Sequence, residues 1–324
     1  MLKKSTALSL LLLSTGGFCA ESADADATSS TTVEKAAKAK KTDKADELIT
    51  NKRMRAQNGS LSNLSMSSSV TYSGGSVDKP FSADRPNVRA AGDVVSLAAM
   101  SADLGASYRI NKLNRLGAGI GMKMIAPFNS DISTNDEKAE GQFKRNQGKL
   151  DVNDPYVSYT HMNKFGGVQA IMSLSVTHIT ASSYRDYGYQ TSIDSSLNTM
   201  YDFGGSSLSV GALFTYGRYL FDKDTLNGEN IEADQSGETN FGFYPQAEYV
   251  INDKYSLRTI VYANLYENTV AEPNEYTQLA VGQSFGLGVS VSRDVYLYPN
   301  VQVAHENLQL SNTNVGITAN INMF

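Results

Sequence analysis

Residues 116–124 read LGAGIGMKM, and apolar side chains occupy every second position of this stretch. Because successive side chains of a β-strand point to opposite faces, the stretch has one apolar face and one face of small residues. The same alternation is clear in 168–177, VQAIMSLSVT, and in 64–72, 208–216, 285–291 and 315–323. The period of two predicts β-strands from about residue 60 to residue 324.

The connections between these strands alternate between short and long. Short turns are expected at 111–114, 163–167, 202–206, 252–254 and 292–294. Longer polar loops are expected at about 74–93, 127–153, 182–191, 222–239, 267–275 and 306–312. Five short and six long connections join twelve strands, and tight turns at one end with long loops at the other are typical of transmembrane β-barrels. The sequence therefore predicts an all-β fold, a transmembrane antiparallel barrel of about twelve strands over residues 60–324.

Three local expectations accompany this fold. Strands at 153–162 and 192–201 are weak by themselves and are predicted mainly from the alternation of turns. The apolar parity shifts around 101–104, which a β-bulge would explain. Aromatic residues gather near the short turns, where an interfacial girdle would place them: Tyr108, Phe165, Tyr201, Phe203, Tyr249, Tyr255, Tyr296 and Tyr298.

Residues 1–20 predict a secretory signal peptide. Lys3 and Lys4 precede the apolar run LSLLLL at 8–13, and small residues follow it. Cleavage is expected after Ala20, or at the Ala-x-Ala formed by Ala23 and Ala25, and the alternative is an N-terminal anchor that stays attached. Cleavage at either site would remove Cys19, the one cysteine of the chain, and with it disulfide and thiol chemistry. No later stretch has eighteen consecutive apolar residues, which argues against a helical membrane protein.

Residues 21–59 differ in composition from the strands. Between positions 33 and 55 there are eight Lys or Arg and four Asp or Glu, with a weak apolar stripe. Ala, Lys and Glu favour helix, so the segment is expected to be helical or disordered. One interpretation is a charged periplasmic lead-in to the barrel. The other is a helix that enters the barrel lumen as a plug.

The chain ends TNVGITANINMF at 313–324. A terminal Phe that closes an alternating strand resembles the assembly signal of Gram-negative outer-membrane β-barrel proteins, which makes Phe324 the candidate signal. The resemblance implies insertion into the cell outer membrane by the barrel assembly machinery. In that family apolar residues usually share the parity of the last Phe. Here Asn320 and Asn322 share it, which suggests a bulge at the end of the strand.

The inward face predicted from this parity is rich in Gly, Ser, Thr and Asn. Twelve strands lie between barrels filled by side chains and water-filled porins of about sixteen strands, so small inward residues predict a narrow polar passage. Lys123 and Arg258 are larger charged residues on this face, and Tyr262 shares the parity of Arg258. These three are the candidate filter residues. The alternative is that inward carboxylates neutralise the two cations or a plug covers them.

These features favour a porin-like pore for passive passage of small hydrophilic solutes. The alternative is a non-conducting structural or surface-interaction barrel whose acidic loops meet a partner or lipopolysaccharide. A hydrolase is the third hypothesis; His161, His178 and His305 carry no catalytic signature, and no cofactor or metal motif is found. Outer-membrane lipid, lipopolysaccharide and small solutes are the expected partners. The net charge of -5 argues against nucleic acid.

Overall fold

A computed structural model describes residues 48–58, 62–88, 95–129, 150–185, 188–204, 206–221, 225–226, 229–230, 237–262, 264–269, 273–278 and 280–323. Its main element, within these residues, is one closed antiparallel sheet of twelve long strands. These are β1 Leu64–Ser76, β2 Ala99–Arg109, β3 Asn114–Ile125, β4 Leu150–Phe165, β5 Val168–His178, β6 Tyr189–Asp202, β7 Leu208–Phe221, β8 Gly237–Val250, β9 in the two pieces Tyr255–Tyr262 and Asn264–Thr269, β10 Gly282–Ser290, β11 Val295–Ala304 and β12 Asn314–Asn322. The predicted fold class is confirmed, including the two weak strands.

The first and last strands close the sheet. β1 pairs with β2 on one side and with β12 on the other, so that Val70 lies opposite Ala319. On the inward face of this seam, the hydroxyl groups of Thr71 and Thr318 are 3.2 Å apart. Closure pairs the strand edges that an open sheet would leave exposed, which is what a strand-built membrane span requires.

Five short turns lie at one end of the barrel and six longer connections lie at the other. The short ones span 110–113, 166–167, 203–207, 251–254 and 291–294, as the sequence predicted. Local chemistry sets them: the Asn252 side-chain oxygen accepts hydrogen bonds from the backbone N–H groups of Lys254 and Tyr255 at 2.8 and 2.9 Å. Gly166 and Gly167 have φ of 54° and 84°, the positive values that a two-residue type I′ hairpin needs.

Helices are short in this structure. The described residues contain α1 at Lys52–Asn58, α2 at Ser182–Arg185 and a 3₁₀ turn at Leu310–Asn312. No helix among them is both long and apolar enough to cross a membrane.

The outward face of the strands is apolar and uncovered by protein. Leu174 on β5 is 46% exposed, whereas its inward neighbour Ser175 is 7% exposed. The same holds around the barrel for Leu104, Leu116, Val157, Phe214, Leu257 and Phe285. An apolar band of this extent is unfavourable in water and is the surface that lipid covers in a transmembrane barrel.

The aromatic girdle is partly as predicted. Six of the eight aromatic residues are exposed on the outside near the short turns: Tyr108, Phe165, Tyr201, Phe203, Tyr249 and Tyr255. Tyr296 and Tyr298 are 1% and 5% exposed and pack against Ala56, so their assignment to the girdle was wrong. The two rings point into the lumen, because they lie on the inward parity of β11.

The predicted bulge at 101–104 was also wrong. β2 pairs with both neighbours without a register shift. The change in parity occurs because Val95–Leu97 belongs to a separate hairpin with Asp84–Pro86, in which Leu97 packs against Ala83, Ile125 and Ala126. The register shifts in β9 instead: Ile260 lies opposite Gln246, whereas Asn264 lies opposite Phe243.

Candidate functional site: the barrel lumen

The middle of the lumen is lined by small and polar residues. On β5, for example, Ser173, Ser175 and Thr177 point inward. Glycines appear where a ring lies flat on the wall: a Cβ atom on Gly119 would come within 2.5 Å of the hydroxyl oxygen of Tyr156 on β4. The wall therefore carries rings without narrowing the passage by a second layer of side chains.

Residues 48–58 enter the lumen at the short-turn end. Asn51 caps α1, because its side-chain oxygen accepts a hydrogen bond from the N–H of Met54 at 3.0 Å. Ile49 and Met54 are buried against an apolar patch on the wall, the inward side chains of Met162, Ile171 and Met200. Burial removes these five side chains from water, so the contact stabilises the docked segment.

Polar contacts fix the position of the segment. The backbone N–H groups of Thr50 and Asn51 both donate to the side-chain oxygen of Gln169, at 2.6 and 2.9 Å. On the opposite side, Nδ2 of Asn322 donates to the carbonyl oxygen of Ala56 at 2.8 Å. Since Gln169 lies at the start of β5, next to Val168, and Asn322 ends β12, the segment is held between distant parts of the wall.

Charged side chains of Arg53, Glu248 and Arg258 meet at the short-turn end of the lumen, which we call the floor. Arg53 and Arg258 each donate to the side-chain oxygen of Gln246, both at 3.1 Å. Glu248 accepts from Nδ2 of Asn51 at 2.8 Å and from the hydroxyl group of Ser256 at 2.6 Å. Burial, and after it the Arg258 guanidinium, lowers the pKa of Arg53 to about 10. Arg53 therefore remains a cation at neutral pH.

The candidate filter residues lie at different levels. Arg258 is part of the floor, and its guanidinium lies over the ring of Tyr298 at 4.8 Å. Lys123 is six residues further from its short turn than Arg258, or roughly 15 Å higher at about 3.3 Å per residue and about 40° of tilt. Tyr262 lies between these levels, edge-on to Tyr244 at 5.8 Å between ring centroids. The three do not form one ring of side chains.

Lys123 has a carboxylate beside it. It lies directly opposite Asp151 on β4, on the same inward face. Its side chain is exposed to the water-accessible lumen. An ion pair between them would cancel much of the charge of Lys123 within the passage.

Several lumen residues were missed from the sequence. Asp103 and Asp194 point inward in the middle of the lumen, and Asp194 accepts a hydrogen bond from the hydroxyl group of Ser192 at 2.7 Å. The alternation of β2 predicts that Asp103 points inward if the change in apolar parity around 101–104 is attributed to the loop that precedes the strand. Arg85, from the loop that follows β1, donates to the side-chain oxygen of Gln302 at 2.8 Å, a contact that no local pattern signals.

The histidines lie on separate strands. His161 contacts the side-chain oxygen of Asn114 at 2.8 Å near a short turn, and His178 ends β5 near the opposite rim. His305 follows β11 and contacts Gln283 at 3.1 Å. The described residues contain no group of three or more metal-ligating side chains. Phe324, residues 130–149 of the long loop and residues 1–47 lie outside the described residues.

The structure is a closed antiparallel β-barrel of twelve strands with an apolar outer face and a polar lumen. An outer-membrane channel from Pseudomonas putida F1 has the same fold, with a TM-score of 0.51, 10% sequence identity, and coverage of 81% of this chain and 96% of that one. The NanC porin is more distant, with a TM-score of 0.42, 10% identity, and coverage of 79% and 98%. The KdgM porin has a TM-score of 0.39, 10% identity, and coverage of 81% and 99%.

No family model matches the sequence, and no curated protein matches it significantly. The likeness to solved structures therefore concerns the fold.

Proposed function

We propose that this protein is a narrow outer-membrane pore for the passive passage of small hydrophilic solutes. The observation that carries the proposal is the inward face in the middle of the closed barrel, which is rich in small polar residues such as Ser173, Ser175 and Thr177. Small polar side chains cannot form an apolar core, and they are the lining that a water-filled path requires. The fold it shares with an outer-membrane channel supports the same function.

We further propose that charge within this passage biases which solutes pass. Lys123 and Arg258 each contribute a cation at a different level, and Tyr262 contributes a ring between them. The carboxylates of Asp103, Asp194 and Asp151 offset these cations. A lining that carries both cations and carboxylates is expected to admit small polar solutes without selecting strongly for one ion.

Residues 21–59 are proposed to act as a plug. The contacts of Ile49, Met54 and Arg53 with the wall support this proposal for the part of the segment that is described. A docked segment at the short-turn end would reduce the conductance of the pore. A signal peptide at 1–20, assembly through Phe324 by the barrel assembly machinery, and contact with lipopolysaccharide stay predictions.

Single-channel recording in planar bilayers tests the pore. Purified full-length protein, and protein with residues 21–58 deleted, are compared in salts that differ in cation or anion size. We expect conductance, larger after the deletion. Absence of conductance in both proteins would overturn the proposal and favour a non-conducting surface-interaction barrel. We assign no catalytic role to the three histidines.

A further inference from the structure

Glu248 and Arg258 lie directly opposite each other on β8 and β9, and both point into the lumen. Cβ atoms of such cross-strand neighbours are about 5 Å apart, close enough for a carboxylate and a guanidinium to form an ion pair. In the present arrangement their hydrogen bonds go elsewhere. Glu248 accepts from Asn51 and Ser256, whereas Arg258 donates to Gln246.

The docked segment competes with Glu248 and Arg258 for their hydrogen-bond partners. Asn51 takes one oxygen of Glu248, and Arg53 donates to the same Gln246 oxygen as Arg258. Two guanidinium groups on one amide oxygen repel each other. Arg258 therefore opposes docking of the segment, whereas Glu248 favours it through Asn51.

We propose that residues 48–58 form a two-state gate, and that Glu248 exchanges Asn51 for Arg258 as its partner when the gate opens. This inference rests on the pore function proposed above and adds its regulation. In the closed state Glu248 bonds the segment and Arg258 bonds Gln246. In the open state Glu248 and Arg258 pair with each other.

The exchange lowers the electrostatic cost of opening. Removing one partner of a buried charge is strongly destabilising when nothing replaces it. Here a second partner for Glu248 lies on the adjacent strand, so the charge of Glu248 has a partner in both states. The apolar contacts of Ile49 and Met54 then supply the attraction that closes the gate. A wall with two discrete bonding arrangements is the bistable element that such a switch requires.

Trypsin cleavage of the folded full-length protein measures opening of the gate. Cuts after Arg53 and Arg55 are identified by mass spectrometry, and a seven-residue helix is too short to resist trypsin once it leaves the wall. When opening and closing are faster than cleavage, the cleavage rate follows the open population. The conductance of the same proteins is recorded in parallel.

Two substitutions have opposite expected effects. Asn51→Ala removes the donor to Glu248 and the cap of α1, so cleavage is expected to rise about tenfold or more, with a rise in conductance. Arg258→Gln removes both the repulsion of Arg53 and the replacement partner of Glu248, so cleavage and conductance are expected to fall several-fold. Arg258→Lys keeps the charge and is expected to behave like the original protein.

Arg218→Gln is the matched control, because Arg218 lies on the outward side near the long loops and pairs with Glu238 at 3.1 Å. The gate is refuted if Arg258→Gln raises cleavage, or changes it no more than Arg218→Gln does. Cleavage that responds as expected without conductance in any variant would refute the pore and keep the switch. Conductance with unresponsive cleavage would refute the switch and keep the pore.

Discussion

Docking of the N-terminal segment should depend strongly on one side chain, Met54. Met54 is 0% exposed and packs with Ile49 on the patch formed by Met162, Ile171 and Met200. Truncation of a buried methionine to alanine costs about 2–5 kcal/mol, because it removes apolar contact and leaves a cavity. Since about 1.4 kcal/mol is tenfold, Met54→Ala is expected to shift the balance toward the undocked segment by about 30-fold or more.

Amide hydrogen exchange measures this shift directly. The N–H groups of Thr50 and Asn51 are bonded to Gln169 on the barrel wall, so docking is what protects them. Their exchange should accelerate by about 30-fold or more in Met54→Ala, while the amides of β5 keep their original rates. Met172→Ala is the matched control, because Met172 follows Ile171 on β5 but faces outward and is 49% exposed. Equal protection of Thr50 in the two variants would refute the docking argument.

Three further predictions test the barrel itself. Leu174→Lys, on the lipid face, is expected to destabilise the membrane-embedded barrel by about 2–4 kcal/mol in urea titrations, whereas Ser173→Lys, facing the lumen, should have much less effect; equal effects would contradict the assigned faces. Gly119→Val is expected to lower the yield of heat-modifiable folded protein on gels, since its Cβ would overlap the hydroxyl group of Tyr156. Lys123→Gln is expected to move the reversal potential in a salt gradient toward cation preference, because Asp151 would lose the cation opposite it; a shift toward anions would argue against this pairing.

The predictability of each feature follows from how local its physical cause is. The lipid face of β5 could be predicted because Leu174 and Ser175 meet different solvents, and that difference repeats with a period of two. The turn at Asn252 could be predicted because its side chain bonds the backbone two and three residues ahead. These causes act over a few residues, so the sequence carries them without the fold.

The floor of the lumen could not be predicted in the same way. Arg53 and Gln246 are 193 positions apart, and no local pattern relates them. Met162 and Met200 lie on strands whose alternation is weak, so their inward orientation could not be predicted from parity. Their packing with Ile171 in one apolar patch could therefore not be predicted either. Tyr296 and Tyr298 were assigned to the girdle from their nearness to a turn, but the register of β11 turns both rings inward.

The sequence by itself determined the barrel: the number of strands, the end at which the short turns lie and the face that meets lipid. Each follows from alternation and turn chemistry, which are properties of neighbouring residues. Only the tertiary structure decided what fills the lumen, because closure of the sheet brings β4, β5, β6, β8, β11 and β12 around one short segment. Partners chosen by closure depend on register and on distance across the barrel, and neither quantity is written in a local stretch of chain.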